Sequence, residues 1–99
     1  VRQACEAWSS GAYLLETVPS VLWILACHAH DPEEAIVRAV NDTDDNDTVA
    51  TIVGAAVGAL HGKDALPVAW QHGLLGRTTA DDNGRVFRLI EEAVRRDWL

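Results

Sequence analysis

The feature of this sequence that most restricts its fold is an abrupt change from an entirely polar segment to a small, apolar one. Residues 41–47 contain no apolar side chain and include four aspartates. From Thr48 to about Leu60, alanine, valine, isoleucine and glycine predominate, with Gly54 and Gly58 four positions apart. Residues four apart share a helix face, and glycine inside a helix costs about 1 kcal/mol relative to alanine. The pattern therefore predicts a loop followed by a helix that is buried on most sides and closely approached by a neighbouring backbone at both glycines.

Helix-start and helix-stop signals continue along the chain. Asp31 is a predicted N-cap before Pro32, and Gly62 marks a predicted helix end. No stretch alternates with the period of a β-strand. The sequence thus predicts an all-α fold, an orthogonal multi-helix globule of about five helices. These helices are expected at about residues 19–29, 32–40, 48–60, 67–75 and 84–98.

Composition excludes several classes of function. The 99 residues carry a formal net charge of −7 without a lysine or arginine cluster, so nucleic-acid binding is not expected. The longest apolar run, residues 21–27, is too short to cross a bilayer. Two cysteines do not make a disulfide framework, which favours a cytoplasmic protein. Because the chain starts at Val1 without methionine, we expect a piece of something longer.

The four aspartates are the main chemical signal. At ~6 Å separation, each pair of carboxylates repels by about 0.7 kcal/mol in water. A cation among them relieves this repulsion, and hard oxygen ligands select Mg²⁺, Ca²⁺ or Mn²⁺. Asp45 and Asp47 flank Asn46, so their side chains can converge on one ion, and Thr48 adds a hydroxyl.

Other interpretations of these residues remain open. The aspartates can form a solvated acidic turn, with Thr48 or Asp47 capping the following helix. An EF-hand beginning at Asp42 fails, since it needs glycine in place of Asp47 and glutamate in place of Val53. A glycosyltransferase D-x-D loop matches three residues, although its α/β context is absent.

An ordered series of motifs resembles the ADP-ribosylglycohydrolase family, from about Ser10 to Arg77. Its signature has the form A-V-N-x-G-G-D-T-D-T-I-A-x-I-x-G-A-x-x-G-A-x-x-G, followed by I-P-x-x-W. The matching residues are Ala39-Val40-Asn41, Asp45-Asn46-Asp47-Thr48-Val49-Ala50, Gly54-Ala55, Gly58-Ala59, His61-Gly62, Leu66-Pro67 and Trp70. Upstream, residues 11–19 resemble the family's G-x-Y-V-x-E-T segment.

The resemblance implies an all-α fold with two Mg²⁺ ions, or Mn²⁺, at the base of a cleft. Carried over by motif, Asp45, Asp47 and Thr48 would be metal ligands, and Asp47 would bridge the ions. Gly11 and Tyr13 would lie along the ADP-ribose cleft. The implied reaction hydrolyses the bond between the anomeric carbon of ADP-ribose and a modified protein side chain or a small compound.

The sequence departs from the family pattern in the acidic segment, residues 42–48. Thr43 and Asp44 stand where the family has paired glycines, and Asn46 replaces a threonine. Asp42 and Asp44 therefore add charge, and we interpret them as solvated or as supporting the ligands from behind.

The family's other metal ligands, a Thr-Asp-Asp cluster and further acidic residues, have no counterpart before Ser10. We therefore expect residues 1–99 to be the C-terminal part of the domain, to require an N-terminal portion of the same fold as partner, and to be inactive alone. The alternative is a degenerate family member that serves as a non-catalytic helical metal-binding or interaction module.

Overall fold

The computed structural model describes residues 1–74 and 84–98. In these two ranges it contains six α-helices and no β-strand, which confirms the predicted all-α class. The helices are α1 (Arg2–Trp8), α2 (Leu14–His28), α3 (Pro32–Asp42), α4 (Asn46–His61), α5 (Val68–Leu74) and α6 (Arg85–Arg95).

The chain divides into two compact units, residues 1–66 and residues 67–99. The first unit contains α1 to α4 and a 3₁₀ turn, Lys63–Ala65. Its most extensive packing is between α3 and α4; α2 contacts both of these helices, and α1 contacts α2 and α3.

The core of the first unit is built on one face of α4. Val49, Val53 and Val57 are spaced four residues apart and are fully buried. Burying a side chain of this kind contributes roughly 1.5–3 kcal/mol, so this stripe is a main source of stability. The residues packed with them come from α2 and α3: Val21, Ile24, Ala35 and Ala39.

The opposite side of α4 departs from the prediction. Ile52 and Leu60 are exposed, so the helix is buried on one face rather than on most sides. A Cβ atom at Gly54 would make only an ordinary 3.8 Å contact with the Ile36 side chain, and one at Gly58 would meet nothing within 4 Å. The expected backbone approach at both glycines is therefore wrong for the described residues.

Both ends of the polar segment also differ from the prediction. α3 continues to Asp42 and α4 begins at Asn46, so only residues 43–45 connect the two helices. Thr48 is consequently inside α4 and does not cap it. The predicted stop at Gly62 is confirmed, with a left-handed φ of 79° that glycine adopts readily.

α2 begins earlier than the sequence predicts. The helix begins at Leu14, and Pro19 lies inside it. Because proline has no backbone N–H, α2 lacks the intrahelical hydrogen bond that residue 19 would otherwise donate to the Leu15 carbonyl. The predicted cap of α3 is confirmed, since Asp31 Oδ1 accepts a hydrogen bond of 3.1 Å from the Glu34 N–H.

The second unit is described by itself. α5 agrees with the predicted helix at residues 67–75, although Leu75 lies outside the described residues. α6 ends at Arg95 rather than continuing to Trp98, and Gly84 precedes it with φ 70°. Neither helix contains a buried residue. Across both units, none of the described helices is long and apolar enough to span a membrane.

Candidate functional site

The acidic connection between α3 and α4 is held by a residue that lies far away in sequence. Ser10 is 1% exposed. Its Oγ accepts a hydrogen bond of 2.8 Å from the Asp44 N–H, and its carbonyl oxygen accepts one of 3.0 Å from the Asp45 N–H. Two successive backbone groups of the acidic segment are thus fixed from the connection between α1 and α2.

Asp45 begins α4 but does not cap it through its side chain. Its Oδ2 is buried, and no hydrogen-bond donor in the described residues reaches it. A buried carboxylate oxygen without a donor is costly unless a proton or a cation satisfies it. Asp45 therefore fits the role of a metal ligand better than that of a helix cap.

Asp47 lies beside Asp45 on the first turn of α4. Interaction of its side chain with the Asp45 carboxyl group lowers the pKa of Asp47, and the hydrogen bond from the Thr48 N–H to Asp47 Oδ1, of 2.9 Å, lowers it further. The lowered pKa favours the ionised form of Asp47, and because the residue is exposed, a cation from solvent can reach its carboxylate. The predicted pair is therefore brought together, with Asp45 half-buried and Asp47 exposed.

Thr48, the third predicted ligand, follows directly on the same helical turn and is exposed. A surface cavity of about 270 Å³ is lined by Asp47, Thr48, Thr51 and Ile52. Carboxylate and hydroxyl oxygens are hard donors of the kind that Mg²⁺ and Mn²⁺ prefer. In the part of the chain that the structure describes, however, no three His, Cys, Asp or Glu side chains form a metal-binding group. The residues fit part of a metal site.

The two predicted substrate residues lie in the connection that leads into α2. The Gly11 carbonyl oxygen accepts a hydrogen bond of 2.8 Å from Thr17 Oγ1. Tyr13 is the N-cap residue of α2, with a side chain that is 64% exposed. Because Gly11 follows Ser10 directly, the peptide group joining them is the one that accepts the Asp45 N–H. The predicted substrate segment, residues 11–13, therefore lies next to the acidic segment.

Glycine at position 11 is also favoured by a close neighbour. A Cβ atom there would lie 2.5 Å from Glu16 Oε2, the end of a flexible side chain. A larger residue would therefore have to displace the Glu16 carboxylate.

Asp42 is not solvated, so that part of its interpretation is wrong. Its side chain is 5% exposed and lies 3.4 Å from Arg2 Nε and 3.3 Å from Arg38 Nη1. It is an ion-paired group that joins α1 to α3. Asp44, in contrast, is exposed.

Ser10 is the residue that sequence reasoning missed as part of the site. In the sequence, Ser10 marks only the start of the region that resembles the ADP-ribosylglycohydrolase family. A serine before a glycine carries no distinctive signal, and its partners are 34 or more residues away.

Comparison with known proteins identifies the family of the chain. The sequence profile of the ADP-ribosylglycohydrolase family matches residues 1–97. The chain therefore belongs to the ADP-ribosylglycohydrolase family.

Individual relatives give the same result. The chain is 30% identical over 82 residues to the human ADP-ribosylhydrolase ARH3, a region that covers 73% of the chain and 23% of the human protein. It is 34% identical over 61 residues to the ADP-ribosylarginine hydrolase Tri1 of Pseudomonas putida (strain GB-1), covering 62% of the chain and 16% of that protein. The chain thus spans less than a quarter of the length of these relatives. No solved structure matches it significantly.

Proposed function

We propose that this chain supplies part of the active site of a metal-dependent hydrolase that removes ADP-ribose from a modified protein side chain or a related ADP-ribosyl compound. The family membership of residues 1–97 supports this activity. The names of two relatives, an ADP-ribosylhydrolase and an ADP-ribosylarginine hydrolase, support the same bond type.

The observation that carries the metal proposal is the buried Oδ2 of Asp45, which meets no hydrogen-bond donor among the described residues, beside the carboxyl group of Asp47. In this proposal Asp45, Asp47 and Thr48 would hold Mg²⁺, or Mn²⁺, and Asp47 would serve a site of two ions. Ions of this kind would supply Lewis-acid chemistry for the hydrolysis. The chain's own contribution is to hold the two carboxylates together before the ion arrives.

The remaining ligands would come from another part of the same fold. Three donors leave positions in the octahedral shell of Mg²⁺ that water or further ligands would fill. We place this chain as the C-terminal part of the domain and the missing ligands in an N-terminal portion. The 99 residues alone would then be inactive.

Gly11 and Tyr13 are the proposed substrate contacts. The exposed phenol of Tyr13 offers a flat surface and a hydroxyl to an ADP-ribose ligand.

Since both described cysteines are unpaired, we propose that the protein belongs to the reducing cytoplasm.

A second candidate function is a non-catalytic helical metal-binding or interaction module, formed by a degenerate member of the family. Such a module would bind a cation or ADP-ribose without turnover.

Metal binding is tested by titrating the chain with Mn²⁺ and following free Mn²⁺ by electron paramagnetic resonance. Asp45→Asn and Asp47→Asn are expected to weaken binding at least about tenfold, because each removes a charged ligand. Asp44→Asn is the matched control, since Asp44 is an exposed neighbour in the same acidic segment. Equal binding by all four proteins would refute the ligand assignment.

Activity is tested on an ADP-ribosylated protein with the isolated chain and with a longer protein that contains the proposed N-terminal portion. We expect turnover only from the longer protein, and only with Mg²⁺ or Mn²⁺. Binding of ADP-ribose without turnover by the longer protein would favour the non-catalytic module, and robust turnover by the isolated chain would contradict the division of the site.

A further inference from the structure

The clamp that Ser10 forms on the acidic segment has a consequence beyond local stability. Ser10 engages two consecutive N–H groups, those of Asp44 and Asp45, one through its hydroxyl oxygen and one through its carbonyl oxygen. The residue is 1% exposed, so solvent does not compete for either bond. The backbone at the start of α4 is therefore fixed by tertiary contacts.

These two hydrogen bonds replace the side-chain cap that usually fixes the start of a helix. An N-cap side chain normally bonds to an N–H in the first helical turn. Asp45 occupies the N-cap position without making such a bond. Its carboxylate is thereby left for another role, while Ser10 holds the backbone that carries it.

The arrangement matters for cation binding because ordering a loop when a ligand binds lowers affinity. A connection of only residues 43–45 that is already held by two hydrogen bonds needs little ordering. Supporting contacts that fix metal ligands typically change affinity about 10–100-fold when they are removed.

We propose that Ser10 is a positioning residue for the metal ligands Asp45 and Asp47, holding the acidic segment in its cation-binding conformation before the cation binds. This inference rests on the proposed function, since it presupposes that these carboxylates bind a divalent cation. Because the Ser10–Gly11 peptide group is part of the clamp, the same contact fixes the substrate segment to the acidic segment.

A matched control is available in the same unit. Ser20 is also fully buried, and its hydroxyl is also hydrogen-bonded, accepting from Trp8 Nε1 at 2.9 Å and donating to the Glu16 carbonyl at 2.8 Å. None of these partners belongs to the acidic segment. Ser20→Ala therefore removes a buried serine hydroxyl of comparable burial without releasing the ligands.

The test compares Mn²⁺ affinity, followed by electron paramagnetic resonance, for the wild-type chain, Ser10→Ala and Ser20→Ala at a temperature where all three are folded. We expect Ser10→Ala to bind about tenfold more weakly and Ser20→Ala to stay within about twofold of wild type. Amide hydrogen exchange without cation supplies a second readout. The Asp44 N–H is expected to exchange faster in Ser10→Ala alone.

The outcomes separate this inference from the proposed function. Wild-type-like affinity in Ser10→Ala, or an equal loss in Ser20→Ala, overturns the positioning role while leaving the metal assignment intact. Failure to bind Mn²⁺ both by the wild-type chain and by a longer protein that contains the proposed N-terminal portion overturns both. If Ser10→Ala does not fold, Ser10→Cys keeps the size of the side chain with a weaker acceptor. Reduced affinity of that folded variant supports the inference, and unchanged affinity overturns it.

Discussion

Arg38 Nη1 lies 3.3 Å from Asp42 Oδ2, one turn apart on α3. Arg2 approaches the same carboxylate from α1, with its Nε 3.4 Å from Oδ1. The side chain of Asp42 is 5% exposed, whereas that of Arg2 is 62% exposed. The carboxylate is thus withdrawn from water between one half-buried and one solvated cation, and the pair with Arg38 is the less screened of the two.

Removing this carboxylate is expected to destabilise the chain. Asp42→Ala leaves two guanidinium groups without their shared partner, and we expect a loss of about 1–3 kcal/mol in the free energy of unfolding. Urea denaturation measures the change. Asp44→Ala is the control, because Asp44 is exposed and contributes its backbone N–H rather than its side chain. It should change stability by less than about 0.5 kcal/mol. Equal losses in both variants would contradict the structural role of Asp42.

The fold was predictable where short-range chemistry decides the outcome. Asp31 before proline, and Gly62 after an apolar helix, are local signals, and both mark helix ends in the structure. Proline is frequent in the first turn of a helix, so Pro19 predicted a later start than the observed one at Leu14. Thr17 Oγ1, inside α2, donates to the Gly11 carbonyl before the helix, a contact that the sequence does not reveal. α1 has seven residues and no side-chain cap, so its sequence carries no helix signal strong enough to predict it.

The site was predictable only in part, for a different reason. Asp45, Asp47 and Thr48 lie within four consecutive residues, so one motif reveals them. Ser10 acts across 34 residues of chain, and no local pattern shows which backbone group it will meet. Asp42 resembles its acidic neighbours in sequence, and only tertiary packing distinguishes it by placing it between two arginines.

The two cysteines should differ in reactivity. Cys5 is fully buried, and burial raises the pKa of its thiol, with a hydrogen bond to Ser20 partly opposing the rise. The neutral form is therefore favoured by folding. This contribution to stability is complete below the pKa of the unfolded thiol and is lost as the pH rises through the higher folded value.

Alkylation of the native chain by iodoacetamide at mildly alkaline pH should therefore modify Cys27, which is half-buried, much faster than Cys5. Peptide mass spectrometry distinguishes the two sites. In denaturant both cysteines should react at similar rates, which serves as the control. Rapid modification of Cys5 in the folded chain would contradict the burial of its thiol.

Glycines at two positions of the α4 region should respond in opposite ways to alanine. Gly58 lies inside the helix, and a Cβ atom there meets nothing within 4 Å. Gly58→Ala is expected to stabilise the chain by about 0.5–1 kcal/mol, because alanine is the better helix former. Gly62→Ala should instead destabilise it by about 1 kcal/mol or more, since its φ of 79° strains any residue with a Cβ atom. Thermal unfolding followed by circular dichroism measures both, and a lower Tm for Gly58→Ala would contradict the open space at that position.

Opposite faces of α2 offer the sharpest test of whether this chain is one part of a larger domain. Ile24 is fully buried in the core, while Leu22, two residues earlier, is 61% exposed. Its neighbours on the outer face, Leu14, Leu15 and Val18, are also exposed. A helix that is apolar on both faces is typical of a position between two layers of protein.

In the 99-residue chain, Ile24→Ala should lower the free energy of unfolding by about 2–5 kcal/mol, and Leu22→Ala should lower it by less than about 0.5 kcal/mol. If the proposed N-terminal portion covers the outer face of α2, the cost of Leu22→Ala should rise to about 2 kcal/mol or more in a protein that contains both portions. Ile24→Ala should lower the free energy of unfolding by the same amount in either protein, because the surroundings of Ile24 do not change. Urea denaturation of the four variants and the two parent proteins gives the comparison. An unchanged cost for Leu22→Ala would mean that the N-terminal portion does not pack on α2, and the exposed leucines would then require another partner.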